Sequence, residues 1–494
     1  MTPDRITQDK LLGAAGQPVR APRGATLSCQ GWQQEAALRL LMNSRDAELA
    51  EFSQELVICG DAQQAVPAWE SFNAILAALC KLSAEETLFV KSASVQSGVP
   101  VGVFHTDASA PRLVLLEAHQ MQRAGESDVV SPSDCSPYGD LRRFSECAAA
   151  GWFHVGPQSV LQATYKILAA AARTHFGGNL AGKLILACAL DAAGGAQSLA
   201  ATLHGAAFLG IEANPEQIKR RIKAGYCDVM VNDLDEALRI LKNAVRRRET
   251  ASVGLVGNGN DLIPALARRG VLPDLIFPGF ATSAGQARGI SELQSMGALI
   301  LGGENDSKKF ESPAFFGKDH EPLSWIALSG DSADILRADR LLLDLFPSNE
   351  RLQHWIAVAQ KHVRAQGLPG RVIWLSHAER VQFAEAVNGL VARGEVSAPV
   401  VFGLACRRVN RKTSPALPGL AAISKILGGP GAEHSRVATL LDAAVGSSWA
   451  AFALSGDVAP VARLISCAIV ADGTADMASR IERALGNTAS PDSQ

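Results

Sequence analysis

Apolar and polar positions alternate regularly through the middle of the chain, and the pattern predicts strands and helices in turn. Leu184–Cys188 is a short apolar run of the kind found in a buried parallel strand. A loop of small residues follows, then a helical pattern, then a second apolar strand that ends in Glu212. The alternation continues through a strand at Ser252–Val256 and the loop that begins with Gly257-Asn258. Such alternation predicts a doubly wound parallel sheet.

The chain ahead of this region has a different pattern. Residues 1–30 are rich in Pro, Gly, Arg and Gln and predict a loosely ordered, flexible arm. Helical spacing of apolar residues begins at Gly31-Trp32 and recurs over Trp69–Leu82, and two strands are predicted around a turn at Ser97-Gly98. The polar stretch 125–147 is predicted to be a long surface loop near a domain boundary.

Helical patterns dominate the chain after Trp325, and short strands separate them. The predicted helices are Ala333–Leu345, Asn349–Ala365 and Ala378–Arg393. The predicted strands are Val372–Leu375, Val400–Phe402 and Ala468–Ala471. A chain of 494 residues is expected to divide into two or three domains, because single cores stop growing near about 250 to 300 residues.

Composition narrows the class of protein. Lys and Arg total 47 against 49 for Asp and Glu, so no net field favours nucleic acid or an anionic membrane. Neither a signal peptide nor an apolar stretch of membrane-spanning length is evident, which predicts a cytoplasmic protein. The nine cysteines lack CxxC spacing and the ten histidines lack HExxH spacing, so we expect reduced thiols and no metal site.

The middle region carries the outline of a dinucleotide site. Gly194 opens a helix whose N–H groups can bind a pyrophosphate, and Glu212 lies where an acid can accept hydrogen bonds from a ribose. Gly257-Asn258 is expected at the same edge of the sheet. The loop has no complete GxGxxG motif, however, and Asp191 adds a negative charge beside the phosphate position. An ordinary βαβ unit with tight helix packing is therefore an equal interpretation.

Sequence blocks in a fixed order along nearly the whole chain resemble urocanase, urocanate hydratase. The blocks are EAALRLLMN within Gly31–Asn43, QSGVPVGVF at Gln96–Phe104, GGAQSLAAT at Gly194–Thr202, NDLDEAL at Asn232–Leu238, GLVGN at Gly254–Asn258, WIALSGDSADI at Trp325–Ile335 and GEVSAPVV at Gly394–Val401. Because several blocks occur in the same order, the resemblance is more specific than any one motif.

The resemblance implies a fold, a reaction and partners. It implies an α/β urocanase-like fold in which a Rossmann-like domain, residues 151–322, is inserted into a core domain formed by residues 31–150 and 323–494. Urocanases are cytosolic homodimers of histidine degradation. They use NAD+ as an electrophile: the imidazole ring of urocanate adds to the nicotinamide, water enters the conjugated system, and imidazolone propionate is released.

Some positions match the family's NAD contacts, and more depart from them. The matches are Gly60, Gly194, Glu212, Asn258 with its neighbour Gly259, and Gly456. The departures place Asp191 in the phosphate loop, Glu146 and Gln217 where the family has a glutamine and an arginine, Gly303 where it has a tyrosine, and FPGFATSA at Phe277–Ala284.

The catalytic positions have also changed. Cys59 stands at the family's tyrosine, and Ile373, which cannot act as thiol, acid or base, stands at its reactive cysteine. Three hypotheses follow: a hydratase for urocanate or a related imidazole acrylate with NAD+, an enzyme with a repurposed pocket, and a non-catalytic paralogue that acts as a partner or regulator. Candidates for a repurposed pocket are Cys59, His320, His377, Cys406, Arg407, Arg408 and Asp457. No single one of these is predicted to be catalytic, because Cys59 and Cys406 are more often buried apolar residues than nucleophiles, and Asp457 is most often a turn residue. His377 fits the start of a helix, and Arg407-Arg408 fits a solvated pair that could otherwise bind an anion or a carboxylate.

Overall fold

A computed structural model describes most of the chain. The described residues are 18–46, 48–49, 68–92, 99–117, 152–153, 155–278, 284–301, 320–405, 442–453 and 464–486. Among them no helix is long and apolar enough to cross a membrane.

Helices and strands alternate along this part of the chain. The helices are α1 Trp32–Asn43, α2 Ala68–Lys81, α3 Gln158–His175, α4 Ala192–Leu203, α5 Pro215–Ala224, α6 Leu234–Arg247, α7 Gly259–Arg268, α8 Ala284–Ser295, α9 Ser332–Leu345, α10 Glu350–His362, α11 His377–Ala392 and α12 Ala475–Gly486. The strands are β1 Glu86–Ser92, β2 Val99–His105, β3 Leu113–Glu117, β4 Leu184–Ala187, β5 Ala207–Glu212, β6 Val229–Val231, β7 Ala251–Val256, β8 Leu275–Phe277, β9 Leu299–Ile300, β10 Glu321–Ala327, β11 Gly370–Leu375, β12 Val400–Ala405, β13 Trp449–Ala453 and β14 Leu464–Ala471.

The middle of the chain forms the predicted parallel sheet. Its described strands lie in the order β6-β7-β5-β4-β8-β9, and every pair is parallel. β4 is buried along its whole length, as expected for a strand with helices on both faces. The chain passes from β4 to one side of the sheet and later returns to the other, so the carboxyl end of β4 lies at a topological switch point.

Local signals in the sequence set the ends of these helices. Asn214 and Asp233 cap α5 and α6, because each side chain accepts a hydrogen bond from a backbone N–H of the first turn. Pro215 occupies the first turn of α5, where a missing N–H costs nothing. Gly225 ends the same helix at φ +81°, a left-handed conformation that glycine adopts without strain. The sequence therefore sets both ends of α5 and the start of α6 locally.

The second sheet joins the two ends of the chain. Its described strands lie in the order β11-β10-β12-β14-β13-β3-β1-β2. β3 from the N-terminal part pairs in parallel with β13 from the C-terminal part, with Leu113 opposite Trp449. Strands from both sides of the inserted sheet thus share one layer. The predicted fold class, a core built from both chain ends with an inserted parallel-sheet domain, is confirmed; the exact domain boundaries stay a prediction.

Part of the segment predicted as a flexible arm is packed against the core. From residue 18 onward the arm is described, and Val19 and Cys29 are buried in the main apolar cluster. Arg39 donates hydrogen bonds to the carbonyls of Gly24 and Thr26. The polar composition correctly indicates an irregular segment, but the prediction of a loose arm is wrong for the described part. The segment is held in place because its backbone carbonyls accept hydrogen bonds from a buried side chain of the core.

Several elements are absent from the sequence-based prediction, and three of the omitted strands have a physical reason. β6 is only three residues long, which is too short to show a pattern. Pro322 and Ser324 interrupt the apolar run of β10. β13 is rich in alanine, a residue of low strand propensity. The helices α8 and α12 were also not predicted.

An aromatic and basic cluster fills the junction between α3, α4 and α10. Tyr165 on α3 stacks on His204 with ring centroids 4.2 Å apart, and its hydroxyl lies 3.1 Å from Nε2 of His354. Burial, together with the positive charge of Arg351, lowers the pKa of the adjacent Lys166 to about 8. A lysine that is hard to protonate in the folded state therefore lies where the inserted domain meets the core.

Because of Lys166, the free energy of unfolding of the protein is expected to change with pH in the alkaline range. Between pH about 8 and its ordinary pKa of about 10.4, the unfolded chain holds a proton on this lysine that the folded chain has released. Stability should therefore rise with pH through that window, and Lys166→Met should remove the rise while stabilising the protein below pH 8. Thermal unfolding of both proteins from pH 7 to 10 checks this, and a difference between them that is constant with pH would contradict it.

Candidate functional site

The carboxyl edge of the parallel sheet gathers the predicted cofactor-binding positions that are described. Gly194 follows β4, Glu212 ends β5, and Asn258 with Gly259 follows β7. β4 and β5 are direct neighbours, and β7 lies next to β5. Three loops that were widely separated in sequence therefore meet at one edge, which is where ligands of doubly wound sheets bind.

Leu190 is the apolar anchor beneath this edge. A Cβ added to Gly210 would lie 2.6 Å from the side chain of Leu190, and one added to Gly254 would lie 2.4 Å from that of Ile218. The glycines in β5 and β7 thus leave room for side chains that cover the sheet. Leu190 is fully buried, so the loop after β4 is fixed in place.

The backbone of the preceding loop leaves no room for a side chain at position 194. A Cβ at this position would be 2.0 Å from the carbonyl oxygen of Ala189. Its N–H donates a hydrogen bond of 2.8 Å to Oδ1 of Asp191, the N-cap residue of α4. The start of α4 is therefore as compact as a dinucleotide-binding loop requires. Its N-cap residue, however, is a carboxylate, which carries the same sign of charge as a pyrophosphate.

Glu212 holds two loops together. Its Oε2 accepts a hydrogen bond from the N–H of Leu190 at 3.2 Å, and its Oε1 accepts one from the N–H of Asn214 at 2.9 Å. The side chain is half-buried at the end of β5. A carboxylate oxygen accepts more than one hydrogen bond, so the group keeps capacity for a ribose hydroxyl.

Asn258 acts as a helix cap in this structure. Its Oδ1 accepts a hydrogen bond from the N–H of Asn260 at 2.9 Å, and the residue is exposed. Gly259 faces the side-chain amide of Gln286 on α8. Both positions lie at the predicted edge, and the sequence alone did not reveal that Asn258 already has an intramolecular role.

Arg221 is a residue at this edge that sequence reasoning missed. Its Nε donates a hydrogen bond of 3.0 Å to the carbonyl of Leu190, and its Cδ lies 2.9 Å from the Cβ position of Gly195. It lies one helical turn after Gln217, so the two share a face of α5. The family resemblance predicts an arginine at position 217, where this chain has Gln217. The available signal was that Arg221 supplies a positive charge four residues later on the same face of the helix.

A second polar cluster lies at the start of α11 in the core. Arg380 donates to Nδ1 of His377 at 2.9 Å, so Nε2–H of His377 donates to the carbonyl of Gly486. His320 lies near it, with Nε2 3.7 Å from Oε2 of Glu379. His377 ties α11 to the end of α12, which is a structural role. His320 keeps a quarter of its side chain exposed, at 26%.

The described cysteines are buried or half-buried thiols that form no disulfide with one another: Cys29, Cys80, Cys188, Cys227 and Cys467. Burial raises the pKa of Cys188 to about 12 and that of Cys227 to about 11, so neither is a nucleophilic thiolate at neutral pH. Within the described ranges no group of three metal-ligating side chains occurs.

Family models match the chain in three consecutive parts. The urocanase N-terminal domain matches residues 19–131, the urocanase Rossmann-like domain matches residues 156–284, and the urocanase C-terminal domain matches residues 314–491. The chain belongs to the urocanase family. This membership supports a urocanase-like hydratase function in general, and the suspected resemblance is confirmed.

The urocanase family implies NAD, and the carboxyl edge of the parallel sheet fits a dinucleotide in part. Glu212 fits a ribose, and the compact glycine turn at Gly194 fits a close approach of phosphate. Asp191 opposes the pyrophosphate, because its carboxylate takes the N–H of Gly194. The edge therefore fits the nucleoside part of NAD. It fits the pyrophosphate only if the Asp191 side chain turns away from the N–H of Gly194.

The remaining predicted site residues of this urocanase-family protein lie outside the described residues. They are Gly60, Gly456, Cys59, Cys406, Arg407, Arg408 and Asp457. Their roles stay predictions, as do the surface loop at 125–147 and the turn at Ser97-Gly98.

Proposed function

We propose that the protein is a hydro-lyase of the urocanase type, which hydrates urocanate or a related imidazole acrylate with NAD+ as an electrophilic cofactor. The observation that carries the proposal is the meeting of Gly194, Glu212 and Asn258 at the switch-point edge of a parallel sheet in a chain of this family. The family resemblance further supports a cytoplasmic homodimer, and the balanced charge of 47 Lys and Arg against 49 Asp and Glu argues against binding to nucleic acid or an anionic membrane.

The chain's own residues divide the work of holding such a cofactor. NAD+ when bound supplies an electron-accepting ring for the imidazole of the substrate. Glu212 would accept hydrogen bonds from a ribose diol, and the first turn of α4 would face the pyrophosphate. Ile373 is fully buried in β11 and takes no part in proton transfer.

A second candidate function is a non-catalytic or repurposed paralogue. Two observations favour it: Asp191 and Asn258 are both engaged as helix caps, and Ile373 replaces the reactive thiol. In that case the urocanase scaffold would serve as a partner or regulatory subunit, or would act on a different substrate through groups such as His320.

Analysis of the purified protein for dinucleotide distinguishes these functions. We expect NAD to be released by heating or to bind on addition, and urocanate absorbance to fall when both are present. Glu212→Gln should weaken NAD+ binding by about tenfold, because an amide oxygen without charge is a poorer acceptor for the ribose diol. Glu216→Gln, at an exposed acid in the next helix, should leave binding unchanged.

Other outcomes would assign the protein differently. No bound NAD and no binding on addition would eliminate the hydratase mechanism. Bound NAD with inert urocanate would indicate another substrate. Co-purification with a second urocanase-like chain would support the partner role.

A further inference from the structure

The first turn of α4 is closed by a carboxylate that belongs to the chain itself. Asp191 is the N-cap residue, and its Oδ1 accepts a hydrogen bond from the N–H of Gly194 at 2.8 Å. The N–H groups of a first helical turn are those that bind phosphate in dinucleotide folds. A donor that a pyrophosphate would use is therefore already bound.

The neighbours of Asp191 hold the loop in this arrangement. The N–H of Leu190 donates to Glu212, and the carbonyl of Leu190 accepts from Arg221 at 3.0 Å. Because Leu190 is also fully buried, the backbone ahead of Asp191 is fixed on both sides. The donor of Gly194 can then be freed by rotation of the Asp191 side chain but not by a shift of the loop.

The side chains of Arg221 and Pro157 pack against Gly195, the residue after Gly194. Arg221 lies over Gly195, with Cδ 2.9 Å and Nε 3.1 Å from the Cβ position of that glycine. Pro157 lies 3.2 Å from the same position. A pyrophosphate that takes the N–H of Gly194 must lie where the Asp191 carboxylate now accepts that hydrogen bond, and two negative charges there repel each other.

We propose that Asp191 competes internally with the dinucleotide pyrophosphate, so that the cofactor binds weakly and exchanges with solution. The inference rests on the proposed function, since it concerns affinity for the cofactor of that same site. Asp191 sets how much cofactor is bound and does not contact the reacting atoms. The carboxylate caps the helix when the cofactor is absent and turns away when it is present.

Three variants separate the parts of this effect. Asp191→Gly removes both the carboxylate and the cap, and glycine is itself an accepted N-cap residue. Asp191→Asn keeps an oxygen that can cap Gly194 but removes the charge. Asp331→Gly makes the same change at the N-cap of α9 in the core, where the aspartate accepts a hydrogen bond from the N–H of Ala333 at 2.9 Å.

The test is a calorimetric titration of each full-length protein with NAD+, ADP-ribose and adenosine. Asp191→Gly should bind NAD+ and ADP-ribose about tenfold or more tightly than the unmodified protein, because one phosphate gains a donor and loses a repulsion. Asp191→Asn should show a smaller gain. Adenosine, which carries no phosphate, should bind all proteins equally, and Asp331→Gly should match the unmodified protein throughout.

Equal or weaker NAD+ binding by Asp191→Gly would overturn the inference. Urocanate consumption at saturating NAD+ is measured on the same samples, so that the two proposals are judged separately. Consumption of urocanate with no gain in affinity overturns only the role of Asp191. A gain in affinity with inert urocanate supports that role and counts against the hydratase. Failure of every variant to bind NAD+ overturns both.

Discussion

Replacing Arg39 with alanine is expected to lower the free energy of unfolding by about 3–5 kcal/mol, as when one partner of a buried ion pair is removed. Arg39 is fully buried and pairs with the equally buried Glu35 at 2.8 Å. Its guanidinium also donates to the carbonyls of Gly24, Thr26 and Leu328, at 2.6 to 2.8 Å. The change would leave the buried carboxylate of Glu35 without its cation and three carbonyls without their guanidinium donor. Urea unfolding at neutral pH measures the loss.

An exposed ion pair provides the matched control. Lys219 and Glu216 lie 2.7 Å apart on α5, but both side chains are more than half exposed. Lys219→Ala should therefore change stability by less than about 1 kcal/mol. If the Arg39 variant were no less stable than the Lys219 variant, the segment from residue 18 to residue 30 would not be held to the core as described.

Gly194→Ala is expected to have the second large effect, a loss of roughly 3 kcal/mol of stability together with loss of dinucleotide binding. The added methyl group would lie 2.0 Å from the carbonyl oxygen of Ala189, and a backbone atom cannot move aside as a side chain can. The loop after β4, which is held by the buried side chain of Leu190 and by Glu212, would have to shift. Thermal unfolding and an NAD+ titration report the two consequences.

Gly389 in the interior of α11 offers the corresponding control. A Cβ there would meet only the end of the flexible Arg393 side chain, at 3.1 Å. Gly389→Ala should therefore stabilise the protein, by up to about 1 kcal/mol, because alanine loses less backbone freedom on forming a helix. A Gly194→Ala protein as stable as the Gly389→Ala protein would show that the turn after β4 is not as tight as described.

The sequence allowed the parallel sheet to be predicted because its signals are local. Apolar runs such as Leu184–Ala187 and caps such as Asp233 depend on a few adjacent residues. The pairing of β3 with β13 is different, since it joins residues more than 300 positions apart. Only the resemblance to a family whose core contains both chain ends predicted that layer. The alanine-rich β13 shows why: its strand state depends on its neighbours in the sheet.

The position of the candidate site could be predicted from the sequence, but the hydrogen bonds that its side chains already make could not. Gly194, Glu212 and Asn258 lie at the expected edge because the carboxyl ends of parallel strands share one side of a sheet. Sequence gave no means of knowing that Asp191 and Asn258 already cap helices, since the same residue types cap helices and bind ligands. Arg221 was missed because a change at one position was not weighed against the residue one turn later.

A crystal structure of the protein grown with NAD+ would show whether the carboxyl edge of the parallel sheet binds the cofactor. We expect the dinucleotide across the carboxyl ends of β4 and β8, with a ribose on Glu212 and the Asp191 side chain turned away from the N–H of Gly194. A structure at saturating NAD+ in which this edge is empty and Asp191 still caps α4 would contradict this expectation.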